Sequence, residues 1–433
     1  MLHPRLPLVA ASAVLIALAW ASAVPAPAAG GTVPHRRVVS ADPADHTPHV
    51  LDGIVNAFAI VGDRVVVGGS FTEVQEASTR QGEGERFDRR NVFAFDLATG
   101  RVDRGFAPDL DGTVWALAPG DGGTVYAGGS FGWVDAEPRP GLTRLRLADG
   151  APVPGFAVAG VSGGSVFALA RRGSHLYVGG DFTAVGGSRT ALARLDAANG
   201  GVDPSFKVTP SHPREGATKV YALAVNRQGD RLAVDGSFTR LNGLSRPQLG
   251  LVDIGGATAR VAKWRTNAYA AECRPVFPSY VRGLDFSPDG KYFVVVTTGG
   301  IGGATKLCDT AARWETYKES ANLSPTWVNY TGGDSLYSVA VTGSAVYVGG
   351  HQRWLNNPKG ANSAGPGAVA RTGIGAIHPV TGKALPWNPT RERGIGVKAF
   401  LAYPGGLLVG SDTVTLGREY HARVGLFPLP SGG

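Results

Sequence analysis

The chain has 433 residues, of which 42 are Lys or Arg and 34 are Asp or Glu, giving a formal charge of +8. This modest excess, with no basic stripe and no groove-reading motif, excludes nucleic acid as an expected partner. No stretch after the first 30 residues sustains a 3.6-residue apolar period, which excludes a helical solenoid, and 63 glycines supply turns instead.

Residues 1–29 come first. A short basic start (His3, Arg5) precedes an apolar run from Leu6 to Ala21, and small residues follow at Ala21-Ser22-Ala23 and Ala26-Pro27-Ala28. This reads as a secretory signal peptide, with a retained signal anchor as the alternative. No Cys follows the apolar run, and the C-terminus lacks an apolar tail. The expectation is a released, extracellular protein, free of the membrane once the signal is removed. Residues 30–433 then form one domain, and loss of Arg5 leaves a mature charge of +7. Such a surface is mildly basic, able to favour anionic glycans or cell-wall polymers but without a focused patch.

From there one pattern repeats seven times, most clearly from Val166 to Phe206. An alternating run is followed by a turn and a second run ending Gly-Gly before an aromatic. A third run ends in Asp, and a short fourth is closed by an aromatic. First strands are anchored at Val55, Val114, Val166, Val220, Val281, Leu336 and Val397, at intervals of 52 to 61 residues. Second strands end at Gly68-Gly69, Gly128-Gly129, Gly179-Gly180, Asp235-Gly236, Thr297-Thr298, Gly349-Gly350 and Gly410-Ser411. Third strands start at Val92, Leu142, Leu192, Leu249, Cys308, Ile374 and Val424. Periods near 50 residues holding several strands predict an all-β, seven-bladed β-propeller of four-stranded antiparallel blades. The seventh unit stops after its third strand, whereas Arg36-Arg37-Val38-Val39-Ser40 stands before the first. This N-terminal strand is expected to complete the last blade and close the ring, removing an exposed edge.

Cys273 and Cys308 are the only cysteines. In an oxidising compartment they are expected to form a disulfide, with two unlinked buried thiols as the alternative and a metal site weaker still. The run Glu83 to Arg90 mixes charge signs and reads as a solvated loop.

Val-Gly-Gly-Ser-Phe-Thr at 67–72, Val-Gly-Gly-Asp-Phe-Thr at 178–183, Leu-Ala-Arg-Leu-Asp at 192–196 and Val-Asp-Pro-Ser-Phe at 202–206 resemble the delta-60 repeat. That repeat belongs to secreted bacterial, often actinobacterial, β-propellers generally without an assigned activity. The resemblance spans roughly Asp52 to Leu429. It departs where Thr297-Thr298 replaces Gly-Gly and where His351-Gln352-Arg353-Trp354 replaces the Ser-Phe-Thr segment. The layout is also similar to kelch propellers, but the Tyr/His copper-ligand set of a galactose-oxidase-type enzyme has no counterpart that can be placed here. The resemblance implies architecture and export more strongly than chemistry.

Residues that the repeat itself explains are poor site candidates. Trp264, Trp327 and Trp387 occupy the position of Phe206 and are expected in the core. Asp96, Asp196 and Asp253 end third strands, where an Asp side chain bonds the following turn. What remains concentrates in units five and six: Trp314, Tyr317, Tyr330, Asp334, His351, Arg353 and Trp354, with a long Asn/Gly/Ala-rich loop from Asn356 to Gly373. Aromatic surface beside Arg and amide groups suits a glycan, the competing reading being a divergent blade packing its own side chains. A second place is the inner strands, where Asn56, Trp115, Phe167, Tyr221, Arg282, Tyr337 and Lys398 are equivalent. If that face meets a central channel, Arg282 and Lys398 make its lining basic; the opposite parity facing the channel is the alternative. Asn329-Tyr330-Thr331 matches a glycosylation acceptor, weak evidence by itself.

No nucleophile elbow, zinc motif or phosphate-cradling loop occurs, no metal or cofactor is expected, and no catalytic pair can be chosen from 34 acidic residues. The expectation is a monomeric, non-enzymatic, secreted binding or scaffold module for polysaccharide or a cell-envelope polymer. A protein-binding surface is another possibility, and a polysaccharide hydrolase or lyase acting at the channel mouth is the main alternative.

Overall fold

The computed structural model describes residues 33–77, 80, 82–156 and 160–430, so the segment read as a signal peptide lies outside the described residues. The described residues form strands, turns and bends, with no helix among them. No helix is therefore long and apolar enough to cross a membrane.

Among the described residues thirteen antiparallel sheets form; seven of three or four strands follow one another along the chain, one per repeat, and six smaller ones of two or three strands lie beside them. The first strands of the seven are Ile54–Val61, Val114–Pro119, Val166–Arg172, Val220–Val225, Val281–Phe286, Leu336–Val341 and Ala399–Tyr403. In each of the seven the second strand lies between the first and the third, as short hairpin turns allow. The expected fourth strand is formed only in units four (Arg260–Val261) and five (Trp327–Tyr330). In four other units it shrinks to one bridge, pairing Phe95 with Val102, Leu145 with Pro152, Leu195 with Val202 and Ile377 with Ala384. Proline has no N–H for a ladder, so in unit two the segment around Pro152 cannot extend the pairing.

A β-bulge recurs near the start of the first strand, directly after its anchor residue. Asn56, Trp115, Phe167, Tyr221, Arg282 and Tyr337 are each skipped in the register with the second strand. Lys398 stands at the matching place in unit seven, its N–H donated to Gly410 O at 2.9 Å. Opposite the bulge, units one, two, three and six keep a glycine, as unit seven does at the matching place, because the next unit comes too close for a side chain. A Cβ on Gly68 would lie 2.5 Å from Val114 Cγ1, and one on Gly410 would lie 2.6 Å from Val55 Cγ1. The second contact sets unit seven against unit one.

Seven apolar clusters fill the spaces between neighbouring sheets. One joins Val66, Ala94 and Phe106 of unit one to Val114 and Leu117 of unit two. Another joins Val55, Phe58 and Phe93 of unit one to Ala399, Leu408 and Leu426 of unit seven. Both faces of each sheet are thus covered, which explains why the strands read as nearly continuous apolar runs. Trp264, Trp327 and Trp387 are all buried in such clusters, as expected, and their indole N–H groups reach Glu315 O, Pro379 O and Ser40 O.

Three local expectations need correction. In unit five the register places Val296-Thr297, not Thr297-Thr298, at the Gly-Gly position, and the third strand is Thr310–Glu315, so Cys308 lies in the preceding loop. The glycine has moved to the facing strand, where Gly283 opposes Val296. At the N-terminus the pairing begins only at the last of residues 36–40 and runs beyond them: Ser40 N–H donates to Pro428 O and Ala44 N–H to Leu426 O, both at 2.8 Å. Residues 35–39 instead run over unit six, with His35 N–H on Thr342 O and Val39 N–H on Tyr347 Oη. Within Glu83 to Arg90, Arg86–Asp88 is a strand paired with Glu73–Gln75 rather than loop throughout. The two cysteines form a disulfide with a Cα–Cα distance of 5.8 Å.

Candidate functional site

First strands begin and second strands end on the same side of each sheet, as in the pairing of Leu336 with Gly350. The bulged residues lie at this end, and bulging turns their side chains out of the normal alternation. Neighbouring units bring them into contact. Ring centroids of Trp115 and Phe167 are 6.4 Å apart, and those of Phe167 and Tyr221 are 6.5 Å apart. The Arg282 guanidinium carbon lies 4.9 Å from the Tyr221 centroid, and Lys398 Nζ lies 3.6 Å from that of Tyr337. The row is aromatic through units two to four and turns basic at units five and seven. Arg282 donates to Val281 O and Ser279 O, both at 2.9 Å.

Lys398 is buried, and its Nζ makes no hydrogen bond to the protein. Burial pushes the amine down to about 7; Asp412 opposes the shift, while Arg282 and Arg391 reinforce it. Asp412 is occupied elsewhere, accepting from Arg391 Nη2 and the Gly396 N–H, both at 3.0 Å.

Tyr337 links this row to the divergent residues of unit six. Its hydroxyl is 3.2 Å from His351 Nδ1, and the ring centroids are 5.7 Å apart. Ser335 N–H donates to His351 Nε2 at 3.4 Å, which leaves the proton of a neutral ring on Nδ1. Burial holds this imidazole below its ordinary pKa, as suits the neutral form. Beside it, Arg353 grips Asp334 through two bonds, Nε to Oδ2 at 2.9 Å and Nη2 to Oδ1 at 3.1 Å. Arg393 adds a third at 3.0 Å to Oδ1. The Arg353 guanidinium carbon lies 4.3 Å from the Trp354 ring centroid, a cation–π contact that flattens both groups against one another.

Asp334 also does a job that recurs. Its Oδ2 accepts the Arg353 N–H at 3.0 Å, as Asp52 Oδ1 accepts Thr72 N–H and Asp111 Oδ1 accepts Gly132 N–H. The carboxylate that pins the loop after the second strand is architectural in units one and two; in unit six it holds two arginines as well.

Not every sequence candidate joins this group. Trp314 is buried, packed 5.5 Å from Trp264 and 5.8 Å from Tyr269 between centroids, so it offers no ring face to a ligand. Tyr317 lies beyond the opposite end of its sheet. There it donates to Asp230 at 2.9 Å and accepts from Asn226 at 2.8 Å, and burial with the Asp230 charge pushes its hydroxyl up to about 12. Tyr330 stays near the right end but on the outer strand, its hydroxyl bonded to Ala304 O at 2.8 Å. The Asn329 amide is buried and donates to Asn356 Oδ1 and Gly382 O, so the sequon nitrogen is not free for glycosylation. Asp96 and Asp196 bond the amides of their turns, whereas Asp253 pairs with Arg231 at 3.1 Å.

Four charged residues escaped sequence reasoning. Arg391 is buried against Asp412, and Arg393 completes the Asp334 pair. Asp235 and Asp309 are buried carboxyls pushed up to about 8 and about 7 by desolvation. Asp235 had a signal, since it breaks the Gly-Gly pair of unit four. The arginines lie after a strand whose sequence gives no hint of where its loop folds. Among the described residues no group of three His, Cys, Asp or Glu converges as a metal site requires.

A family model described as a domain of unknown function, DUF5122, beta-propeller, matches residues 175–206, the second strand to the closing aromatic of unit three. The match supports a β-propeller family for this repeat. No curated protein matches the chain. Among solved structures, the computationally designed Ika8 protein is 13% identical over 90% of this chain and 100% of its own, with a TM-score of 0.48.

Proposed function

We propose that this chain is a secreted seven-bladed β-propeller, residues 30–433, that binds an extracellular polysaccharide or cell-envelope polymer without chemically altering it. Support for the ring comes from the seven inter-unit clusters and from the contact of Gly410 with Val55. In this reading the bulged residues line the central channel and make one arc of it basic. The disulfide and the absence of a membrane-crossing helix among the described residues are compatible with export. The observation that carries the binding reading is the Asp334–Arg353–Trp354 assembly beside the row of bulged side chains. It holds a fixed guanidinium against one face of a partly exposed indole, a polar and aromatic surface of the kind that takes sugar hydroxyls and sugar faces. The carboxyls nearest to it are occupied by arginines or buried, which suits recognition better than a two-carboxylate hydrolysis.

One observation favours a second reading. The Tyr337 hydroxyl is hydrogen-bonded to the His351 imidazole, and the Lys398 amine lies over the face of the same tyrosine, so three groups able to move protons cluster as a polysaccharide lyase needs. A glycan array with the disulfide-intact protein tests binding, and incubation of each hit tests chemistry. New reducing ends or unsaturated products would replace the binding reading by the enzymatic one. Replacing His351, Arg353 and Trp354 together by Ala should abolish capture of any hit, and undiminished capture would remove the site assignment.

A further inference from the structure

Lys398 is the least explained charge in the molecule. It projects a primary amine into the row of bulged residues, where it makes no hydrogen bond to the protein and lies over the face of Tyr337. The nearest carboxylate, Asp412, is held by Arg391 and by backbone amides of the loop before Lys398. Arg282, two units back, lies close enough to repel the amine, and its Nε is also without a protein partner. Two cations with unfilled donors therefore stand on one row two units apart, neither in an ion pair with a carboxylate. Burying a charge without a partner is costly, and nothing in the repeat demands it. The same position carries Asn56, Trp115, Phe167, Tyr221 or Tyr337 in other units, so a cation is not needed for packing there.

We propose, resting on the polysaccharide-binding reading above, that Lys398 and Arg282 anchor one carboxylate of an acidic saccharide. Half-buried Trp115 lies farther along the same row and offers aromatic surface to the sugar that carries it, while Tyr221 holds the Arg282 guanidinium on its ring. The flexible lysine stem lets the amine swing from the Tyr337 face onto the carboxylate. A uronate polymer fits this chemistry: one charge per sugar, meeting one amine and one guanidinium.

The test compares oligogalacturonate with its methyl ester by calorimetry on the disulfide-intact protein. The two differ in the charge and by one methyl group on each carboxyl, and the acid is expected to bind at least about tenfold tighter. Lys398→Met should erase that preference while raising the melting temperature, since it removes a buried charge and keeps the apolar stem; a merely structural lysine would lower it. Arg282→Gln, a milder change, should weaken the acid alone and serves if the lysine variant does not fold. Equal binding of acid and ester overturns the carboxylate anchor and leaves the polysaccharide reading standing. An acid preference that survives in both variants overturns it too. If no oligosaccharide binds and the glycan array is blank, the broader reading fails. Free galacturonate then decides the anchor, which falls if the sugar acid leaves the Lys398 side-chain NMR resonances unmoved.

Discussion

Arg353 and Asp334 form a two-point pair, at 2.9 and 3.1 Å, in which a carboxylate that elsewhere only pins a loop also fixes a guanidinium. Three other contacts depend on the same carboxylate: the Arg353 N–H, the Arg393 guanidinium and, through Arg353, the position of Trp354. Asp334→Asn should therefore act on stability and on binding together. The expected loss is about 1–3 kcal/mol, less than for a fully buried pair because the side chains of Arg353 and Arg393 are 31% and 43% exposed. Urea unfolding measures it. An unchanged midpoint would show that the two arginines find other partners.

Gln352 sits where Phe71, Phe131, Phe182 and Phe238 close their own units, yet it is fully buried with neither amide atom bonded to the protein. A buried polar group left unmatched costs about 1–3 kcal/mol. Gln352→Met, which nearly conserves volume, should recover part of this and raise the unfolding midpoint, and Gln352→Phe should do so only if the neighbouring side chains make room. Loss of stability in the Met variant would mean that the amide has bonding partners beyond the protein.

Asp235 replaces a glycine of the repeat and is fully buried, with Oδ1 accepting the Ala222 N–H at 2.9 Å and Oδ2 unbonded. Burial raises its carboxyl to about 8, so the folded protein holds a proton that the unfolded chain releases near 4. Its contribution to stability is complete below about 4 and is lost as pH rises toward 8. Asp285 and Asp309, both raised to about 7, act in the same direction. Lys398, lowered to about 7, acts oppositely, but only between about 7 and 10.5. Stability should thus fall from pH 5 to pH 7, and Asp235→Asn should flatten the slope. Denaturant midpoints across that range check it; identical slopes in both proteins would remove Asp235 from the account.

These residues show what could be read in advance. Six of the seven first-strand anchors fall within first strands, and Val397 lies two residues before Ala399–Tyr403, because alternation and Gly-Gly pairs are local signals. Unit five slipped by one residue where both glycines were missing, since only the partner strand fixes the register. Trp314 was misjudged as accessible for the same reason: its burial is set by the indole and phenol of Trp264 and Tyr269, more than 40 positions away. The meeting of Lys398, Tyr337 and His351 was likewise invisible, because a bulge redirects side chains without a sequence mark of its own. Asp334 stood out as a break in the pattern, but part of its bonding is the pattern itself.

The N-terminal segment offers the sharpest test of the fold. Ser40 and Ala44 donate to Pro428 and Leu426, the outer edge of the seventh sheet, where units four and five have a fourth strand of their own chain order. Val39 N–H meets Tyr347 Oη at 2.9 Å, and Trp387 Nε1–H meets Ser40 O at 2.8 Å, so one short stretch ties units six and seven together. Val39 itself is buried with Trp387, Leu407 and Phe427. Deleting residues 30–45 removes these bonds, opens an apolar seam and leaves the strand Val424–Pro428 with an unpaired edge. A loss of several kcal/mol is expected from the bonds and the apolar area together. It should appear as a lower and broader melting transition with aggregation on heating. An equally sharp transition at the same temperature would mean that the last unit is held without its N-terminal partner.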